Sequence, residues 1–328
     1  MAEVKVGTTI FRRDLSPILT VFRLIAEPGH AFPLYKAGQY IALRREHCRL
    51  TKRTVMPNGA VKYLPDLDAN GVQRRGPVTH SYSISSAPYE TAVHGYLEFY
   101  VILEQDDHGV PGRLTESLFQ LDPSADKTLT YFTKIAGEFT AEKVTQGFEH
   151  VVMVGTGTGL APFASMVKQA NHETANGNAS RQRFTLFHAN RGLSELGYHT
   201  ELLQIEREKK IDFVYVPSVS RPSKEDYAQP SVGKGRANNM LRRVLGMASK
   251  EEEELAAAKN SGTLSHEHEE RLRRAVHAEL PSHLNAESLR ARMPVGSTVV
   301  LTCGNPNAMA DIESIAHTNN LHFEKEEW

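Results

Sequence analysis

The run Val151-Val-Met-Val-Gly155-Thr-Gly157-Thr-Gly159-Leu-Ala161-Pro162-Phe163 joins a short apolar stretch to three alternate glycines and then to helix-compatible residues. Glycines let the backbone approach a pyrophosphate closely. A helix N-terminus then offers that anion free N–H groups and the positive end of its dipole. The G-x-G-x-G spacing alone fits a flexible turn as well. A strand before it, a helix after it and Pro162 in the first helical turn point to nucleotide binding. Gly155, Thr156, Gly157, Thr158 and Gly159 are the candidate contacts.

A dinucleotide without a 2′-phosphate usually meets a carboxylate near the end of the second strand. Here that strand ends His188-Ala189-Asn190-Arg191, with no acid. The third ends Val219-Ser220-Arg221, and Gly233-Lys234-Gly235-Arg236 lies downstream. Arg191, Ser220, Arg221 and Arg236 can surround a 2′-phosphate. A hydrogen bond to a charged group is worth about 1.5–3 kcal/mol, so two such bonds favour NADPH over NADH by roughly 10²–10⁴-fold. Any one of these arginines alone reads as a solvated surface residue; three in matching loops select NADP(H).

Two further motifs flank this one. His80-Ser81-Tyr82-Ser83-Ile84-Ser85-Ser86-Ala87-Pro88 precedes it, and Cys303-Gly304-Asn305-Pro306 follows it at the end of the apolar run Ser297–Thr302. Taken alone, each is a strand or a strand-to-helix turn, and a buried Tyr or Cys is normally core. Their order around the glycine loop is what makes them specific.

Composition bounds the rest. The 328 residues suggest two domains, and 40% hydrophobic with 23% charged residues is ordinary for a folded chain. Net charge is −1, so a chain-wide basic field for nucleic acid is absent. Residues 1–80 hold 13 Lys/Arg against 6 Asp/Glu, however, which could attract an acidic partner or be uneven surface decoration. Only Cys48 and Cys303 are present, too few for a disulfide scaffold, an iron–sulfur cluster or a four-thiolate zinc site. The first 14 residues do not read as a secretory signal, and no apolar run approaches the ~20 residues of a membrane helix. No metal site and a cytoplasmic location are expected.

The elements that must carry these motifs change character along the chain. Ile18–Ala26, Tyr40–Leu43, Ser81–Ser85 and Tyr96–Leu103 are short β-rich runs separated by turn signals, which predicts a barrel or sandwich. Asn58-Gly59, between Thr51–Met56 and Ala60–Leu64, predicts a hairpin inside an excursion over 44–79. From His150, strands at Val151–Val154, Arg183–His188, Ile211–Val216 and Ser297–Thr302 alternate with helical stretches, which predicts a parallel sheet covered on both faces. The boundary is expected at 145/146, giving domains 1–145 and 146–328. Residues 237–293 read as a helical insertion of two or three surface helices. Glu251–Glu254 is read as a solvated helix face, and His266, His268 and His277 lack a second ligand cluster for metal.

The three motifs in this order resemble the ferredoxin–NADP reductase family in its FAD-dependent bacterial branch. The resemblance runs from about residue 5 to the C-terminus, apart from 44–79 and 237–293. It implies a β + α/β fold: an antiparallel flavin-binding β-barrel followed by a Rossmann-like parallel-sheet NADP-binding domain. Family members carry Arg-x-Tyr-Ser-x-x-Ser, matched here by His80-Ser-Tyr82-Ser83-Ile-Ser-Ser86. Leu97-Glu98-Phe99-Tyr100 resembles the strand by the flavin's ribityl and adenine side. Gly112-Arg113-Leu114-Thr115 resembles the turn that holds its pyrophosphate.

By the same resemblance, Tyr82 stacks on the isoalloxazine, worth about 0.5–1.5 kcal/mol beyond area. Ser83 lies near flavin N5. Cys303 borders the nicotinamide, with Gly304 and Pro306 beside it. Glu326 serves as proton donor or acceptor, and Trp328 as flavin lid or adenine contact, the alternative being a frayed terminus. His80 departs from the family's phosphate-binding arginine and is a weaker, mostly neutral donor; Arg74, Arg75 and Arg113 are other possible phosphate partners. The implied activity is electron exchange between NADPH and ferredoxin or flavodoxin through FAD, by a monomer. The alternatives are the reductase of a multicomponent oxygenase, a free-flavin reductase, and a non-enzymatic electron-transfer subunit without NADPH turnover.

Overall fold

The computed structural model describes residues 3–56, 59, 61–106, 109–178 and 180–326. Its chain divides into two compact units, one of residues 1–35 and 39–137 and the other of 36–38 and 138–328. The first unit runs β1 (Val4–Ser16), β2 (Leu19–Ala26), β3 (Tyr40–Arg49), β4 (Thr51–Val55), β5 (Val61–Pro65), β6 (Arg75–Ser83), α1 (Pro88–His94), β7 (Tyr96–Ile102), α2 (Arg113–Phe119) and β8 (Thr128–Ala136). Six strands form one antiparallel sheet in the order β6-β3-β8-β1-β2-β7. The sheet curls toward closure: the Ser85 N–H, just past β6, donates to the Glu98 carbonyl of β7. The expected antiparallel barrel is thus a half-barrel.

Its interior follows from alternation along the strands. Phe22 and Leu24 of β2, Ile41 and Leu43 of β3, and Leu97 and Phe99 of β7 point inward and are at most 1% exposed. Leu114 and Leu118 of α2 plug the same core. Glu98 points the other way yet stays buried, its carboxylate 2.7 Å from Arg23 Nε; the Arg23 guanidinium lies over the rings of Tyr96 and Phe11. Between β3 and β6 the chain leaves the barrel as a two-stranded hairpin, β4 with β5, in the register Thr51↔Pro65 to Val55↔Val61. Asn58 of the expected turn lies outside the described residues. Two barrel strands, β1 and β8, were not expected from the sequence: Leu129 and Tyr131 are buried on β8, whereas most β1 side chains remain partly exposed.

The second unit runs α3 (Ala141–Val144), β9 (His150–Thr156), a tight turn Gly157–Leu160, α4 (Ala161–Ala175), β10 (Arg183–Asn190), α5 (His199–Glu208), β11 (Asp212–Val219), α6 (Lys224–Tyr227), β12 (Gly233–Lys234), α7 (Ala237–Leu245), α8 (Lys250–Ser261), α9 (His266–Arg274), α10 (Ala286–Arg290), β13 (Thr298–Cys303), α11 (Pro306–Thr318) and β14 (His322–Lys325). All neighbours in its sheet, ordered β12-β11-β10-β9-β13-β14, are parallel. Strands β9 and β13 are buried on both faces, as their unbroken apolar runs require. The chain proceeds from β9 outward to β11, then returns to the other side of β9 as β13. That reversal opens a crevice at the carboxyl ends of β9 and β13, where doubly wound sheets bind ligands.

The stretch read as a surface insertion over 237–293 is two different things. Ala237, Met240, Leu241 and Val244 of α7 repeat at helical spacing and are at most 1% exposed, packed with Leu289 of α10 against the sheet. Only α8 and α9 form an excursion: α8 buries Glu251 and Ala258, and α9 buries nothing. Among the described residues, no helix is long and apolar enough to cross a membrane.

Candidate functional site

The crevice is built by two loops that interlock through glycine. A Cβ on Gly159 would lie against the Cys303 carbonyl and 2.6 Å from the Gly304 nitrogen, so only glycine lets the two backbones touch. Gly304 has φ +123°, and a Cβ there would strike the Thr156 carbonyl and hydroxyl. The Thr156 hydroxyl accepts the Asn305 N–H at 2.8 Å, which ties the loops together. Gly157, at φ +59°, faces open space, leaving its side of the loop free for a ligand. Thr158 is half-exposed beside it. Pro306 opens α11, whose cap is Asn305: its side-chain oxygen accepts the N–H groups of Asn307 and Ala308.

Strand β14 delivers the next component. It pairs with β13 in the register Thr302↔Lys325, which brings Glu326 beside Cys303. The Cys303 S–H donates to Glu326 Oε2 at 2.8 Å, and Glu326 N–H donates to the Thr302 carbonyl at 3.1 Å. Cys303 is 0% and Glu326 2% exposed. Burial, then the adjoining carboxylate, pushes the Cys303 thiol well above its usual range, so it stays a neutral donor. Trp328 lies outside the described residues.

The arginines named from sequence stand at the ends of three adjacent strands. Ladder hydrogen bonds continue past the strand ends: Arg221 N–H donates to the Arg191 carbonyl, and Gly235 N–H to the Val219 carbonyl. Arg191, Arg221 and Arg236 are all exposed. The Ser220 hydroxyl is occupied, donating to the Asn190 carbonyl at 3.1 Å. Arg236 faces an acid: its Nη1 is 3.5 Å from Glu251 of α8.

In the first unit, His80, Tyr82 and Ser83 occupy the last turns of β6, opposite Leu43, Ile41 and Tyr40 of β3. His80 is exposed, Tyr82 half-buried and Ser83 buried. Burial, with lesser contributions from Glu104 and Cys48, raises the Tyr82 phenol further above neutrality, so it presents an uncharged ring. Gly112 is the N-cap of α2; Leu114 and Thr115 turn their side chains inward at 2% and 5% exposure. Their usable groups are thus the N–H donors of the first helical turn, which lack intrahelical acceptors. Arg113 stays half-exposed at that turn. Tyr100 is only 3% exposed, which leaves little ring to meet a ligand.

Sequence reasoning missed His188. It stands on β10 in register with Gly155, is fully buried, and its Nδ1 lies 3.2 Å from the Tyr215 hydroxyl. Burial, with nearby His199 adding to it, lowers its pKa to about 3, so the ring is neutral. The Asn305-Pro306 cap was readable, since Asn followed by Pro is a helix-start signal.

The chain thus combines a parallel sheet carrying a glycine turn at its switch point with a preceding curled antiparallel sheet. Residues 153–257 match the family model described as oxidoreductase NAD-binding domain. Ferredoxin–NADP reductase from Azotobacter vinelandii is 32% identical over 155 residues, covering 45% of this chain and 53% of that protein. Ferredoxin–NADP reductase from Pseudomonas aeruginosa is 28% identical over 173 residues, covering 51% and 58%. The aligned part thus spans little more than half the length of these relatives. A solved ferredoxin NADP+ reductase from Neisseria gonorrhoeae, with bound FAD and NADP, has the same fold at a TM-score of 0.59 and 16% identity, covering 99% of both chains. The chain is thus similar to ferredoxin–NADP reductases over about half its length and shares their fold.

Proposed function

We propose that this chain is an FAD-dependent oxidoreductase that exchanges hydride with NADPH and single electrons with a ferredoxin or flavodoxin. The observation that carries the reading is the buried Cys303–Glu326 pair at the glycine-locked switch point. On this reading a thiol and a carboxylate, both shielded from water, would meet the dinucleotide's reactive end.

The residues fit both cofactors. Gly157 leaves an open cradle above the turn before α4, where N–H groups can take a pyrophosphate. Arg191, Arg221 and Arg236 offer guanidinium groups to a 2′-phosphate. In the first unit, Tyr82 offers a neutral aromatic face, and Gly112 to Thr115 offer N–H donors to the flavin pyrophosphate, with Arg113 and His80 as flanking donors. The flavin, when bound, supplies the exchange between a two-electron hydride and single electrons. Ser83 would be the residue beside the flavin's reactive edge. Cys303 gives the nicotinamide a small, uncharged neighbour, and Glu326 holds a proton acceptor at the Cys303 sulfur. The first 80 residues, with their excess of basic groups, favour an acidic protein carrier.

An absorption spectrum of purified protein followed by anaerobic titration tests this. Flavin bands that bleach with about one equivalent of NADPH are expected. A protein that stays colourless, or ignores NADPH after reconstitution with FAD, refutes the reading. Colourless protein that nevertheless reduces added flavin with NADPH identifies a free-flavin reductase instead. Bound flavin with no NADPH-to-ferricyanide activity identifies a non-enzymatic electron-transfer subunit. With activity established, turnover with a carrier should fall with added salt more steeply than turnover with ferricyanide. Turnover only with the iron–sulfur protein of an oxygenase would make the chain an oxygenase reductase.

A further inference from the structure

We infer that Glu251, on the excursion helix α8, is a specificity-determining residue that tempers recognition of the nucleotide's 2′-phosphate. The inference rests on the placement of that phosphate at Arg191, Arg221 and Arg236 proposed above. Arg236 is held by an acid: its Nη1 is 3.5 Å from Glu251 Oε1, while 69% of its side chain remains exposed. Glu251 is itself 9% exposed and cannot swing away, because its other oxygen accepts Asn239 Nδ2 at 2.8 Å.

The helix carrying Glu251 is fixed as well. The Asn239 side-chain oxygen accepts the Lys250 N–H at 2.9 Å. Arg242, buried on α7, reaches Glu253 and Asp311 at 2.5 Å each and the Ala248 carbonyl at 3.1 Å. Lys250 Nζ adds a contact to Asp311 at 3.4 Å. Little of α8 contributes to the apolar core, yet its first turn is bound to α7 by this polar network. What that placement delivers to the strand tips is one fixed carboxylate.

A 2′-phosphate approaching Arg236 meets a guanidinium already partly neutralised, and it is repelled by the Glu251 charge behind it. A 2′-hydroxyl feels neither effect. Glu251 therefore narrows the gap between phosphorylated and unphosphorylated nucleotides without touching the reacting ring. The same attraction lowers the cost of carrying three arginines on adjacent strand tips.

Calorimetric binding of 2′,5′-ADP and 5′-AMP to the full chain tests this without relying on turnover. Glu251→Gln should bind 2′,5′-ADP about two- to fivefold more tightly, the size of one exposed charge interaction, with 5′-AMP unchanged. Unchanged 5′-AMP binding also reports an intact nucleotide loop. In an Arg236→Ala background the Glu251→Gln gain should shrink. Unchanged or weaker 2′,5′-ADP binding by Glu251→Gln overturns the inference, as does an equal shift for both ligands. If Arg236→Ala weakens 2′,5′-ADP while Glu251→Gln does nothing, only the role of Glu251 falls. If Arg236→Ala leaves 2′,5′-ADP affinity unchanged, the phosphate placement fails and this inference falls with it.

Discussion

The two ends of the proposed nucleotide site obey opposite rules. At the β9–β13 end, Cys303 and Glu326 are buried and the backbones touch through Gly159 and Gly304. At the tips of β10, β11 and β12, three arginines stand in solvent. Reaction at a ring demands close approach and exclusion of water, which backbone packing without Cβ atoms provides. Discrimination of a phosphate demands charge that the ligand can reach and desolvate. On the reading proposed above, one sheet would supply both, because its switch point is dry and its outer tips are not.

The sharpest way to break the dry end is Gly159→Ala. The added Cβ meets backbone atoms of Cys303 and Gly304, which cannot rotate away as a flexible side chain could. Overpacking of this kind costs about 1–3 kcal/mol or more. Nucleotide affinity should fall about 100-fold, with a lower urea midpoint; binding equal to wild type would show that the interlock is not what shapes the cradle. Glu326→Gln is a milder probe. It keeps a hydrogen-bond acceptor for Cys303 but removes the carboxylate, so hydride transfer should slow by about 10²-fold while NADP+ affinity holds. Stopped-flow reduction by NADPH measures both, and an unchanged rate would reduce Glu326 to a packing residue.

The wet end should respond in affinity and not in rate. Arg221→Ala with Arg236→Ala should weaken NADPH about 10- to 100-fold and leave NADH nearly unchanged. Steady-state kinetics with both cofactors measures it. An equal loss for NADH would place these arginines elsewhere on the nucleotide.

Legibility in the sequence followed local pattern and not burial. The glycine loop was readable because β9 is apolar throughout and ends in residues with few other uses. The arginine tips were readable because parallel strands deliver their loops to one edge. Strand β1 was missed because Lys5, Arg12, Arg13 and Asp14 break its alternation on a largely solvated strand. The burial of α7, read as one of the surface helices over 237–293, was missed because its stripe Ala237, Met240, Leu241 and Val244 is diluted by the neighbouring charges of α8 and α9. Glu326 could be named by resemblance, but its contact with Cys303 depends on the register of β14, a strand of four residues with no strong pattern of its own. Glu251 sat inside a charge run that reads as solvated, and only the packing of α8 on α7 turns it inward.

Acid and salt should separate the two ends most finely. Burial lowers the His188 pKa to about 3, against about 6.5 in an unfolded chain. Between those values the unfolded state binds the extra proton, so the stability contributed by neutral His188 is complete above pH ~6.5 and drains away as pH falls toward ~3. At pH 5 the loss is at most about 2 kcal/mol. Urea midpoints of the wild type and His188→Gln, compared at pH 8 and pH 5, should therefore converge on acidification. His199 and His150, also lowered chiefly by burial, remain in both proteins and cancel in that comparison. Added salt should leave this difference nearly intact, because His188 has no exposed surface to screen, while weakening 2′,5′-ADP binding at the arginine tips. Parallel midpoints at the two pH values would show that His188 is not held neutral, and the dry character assigned to the ground beneath the glycine loop would go with it.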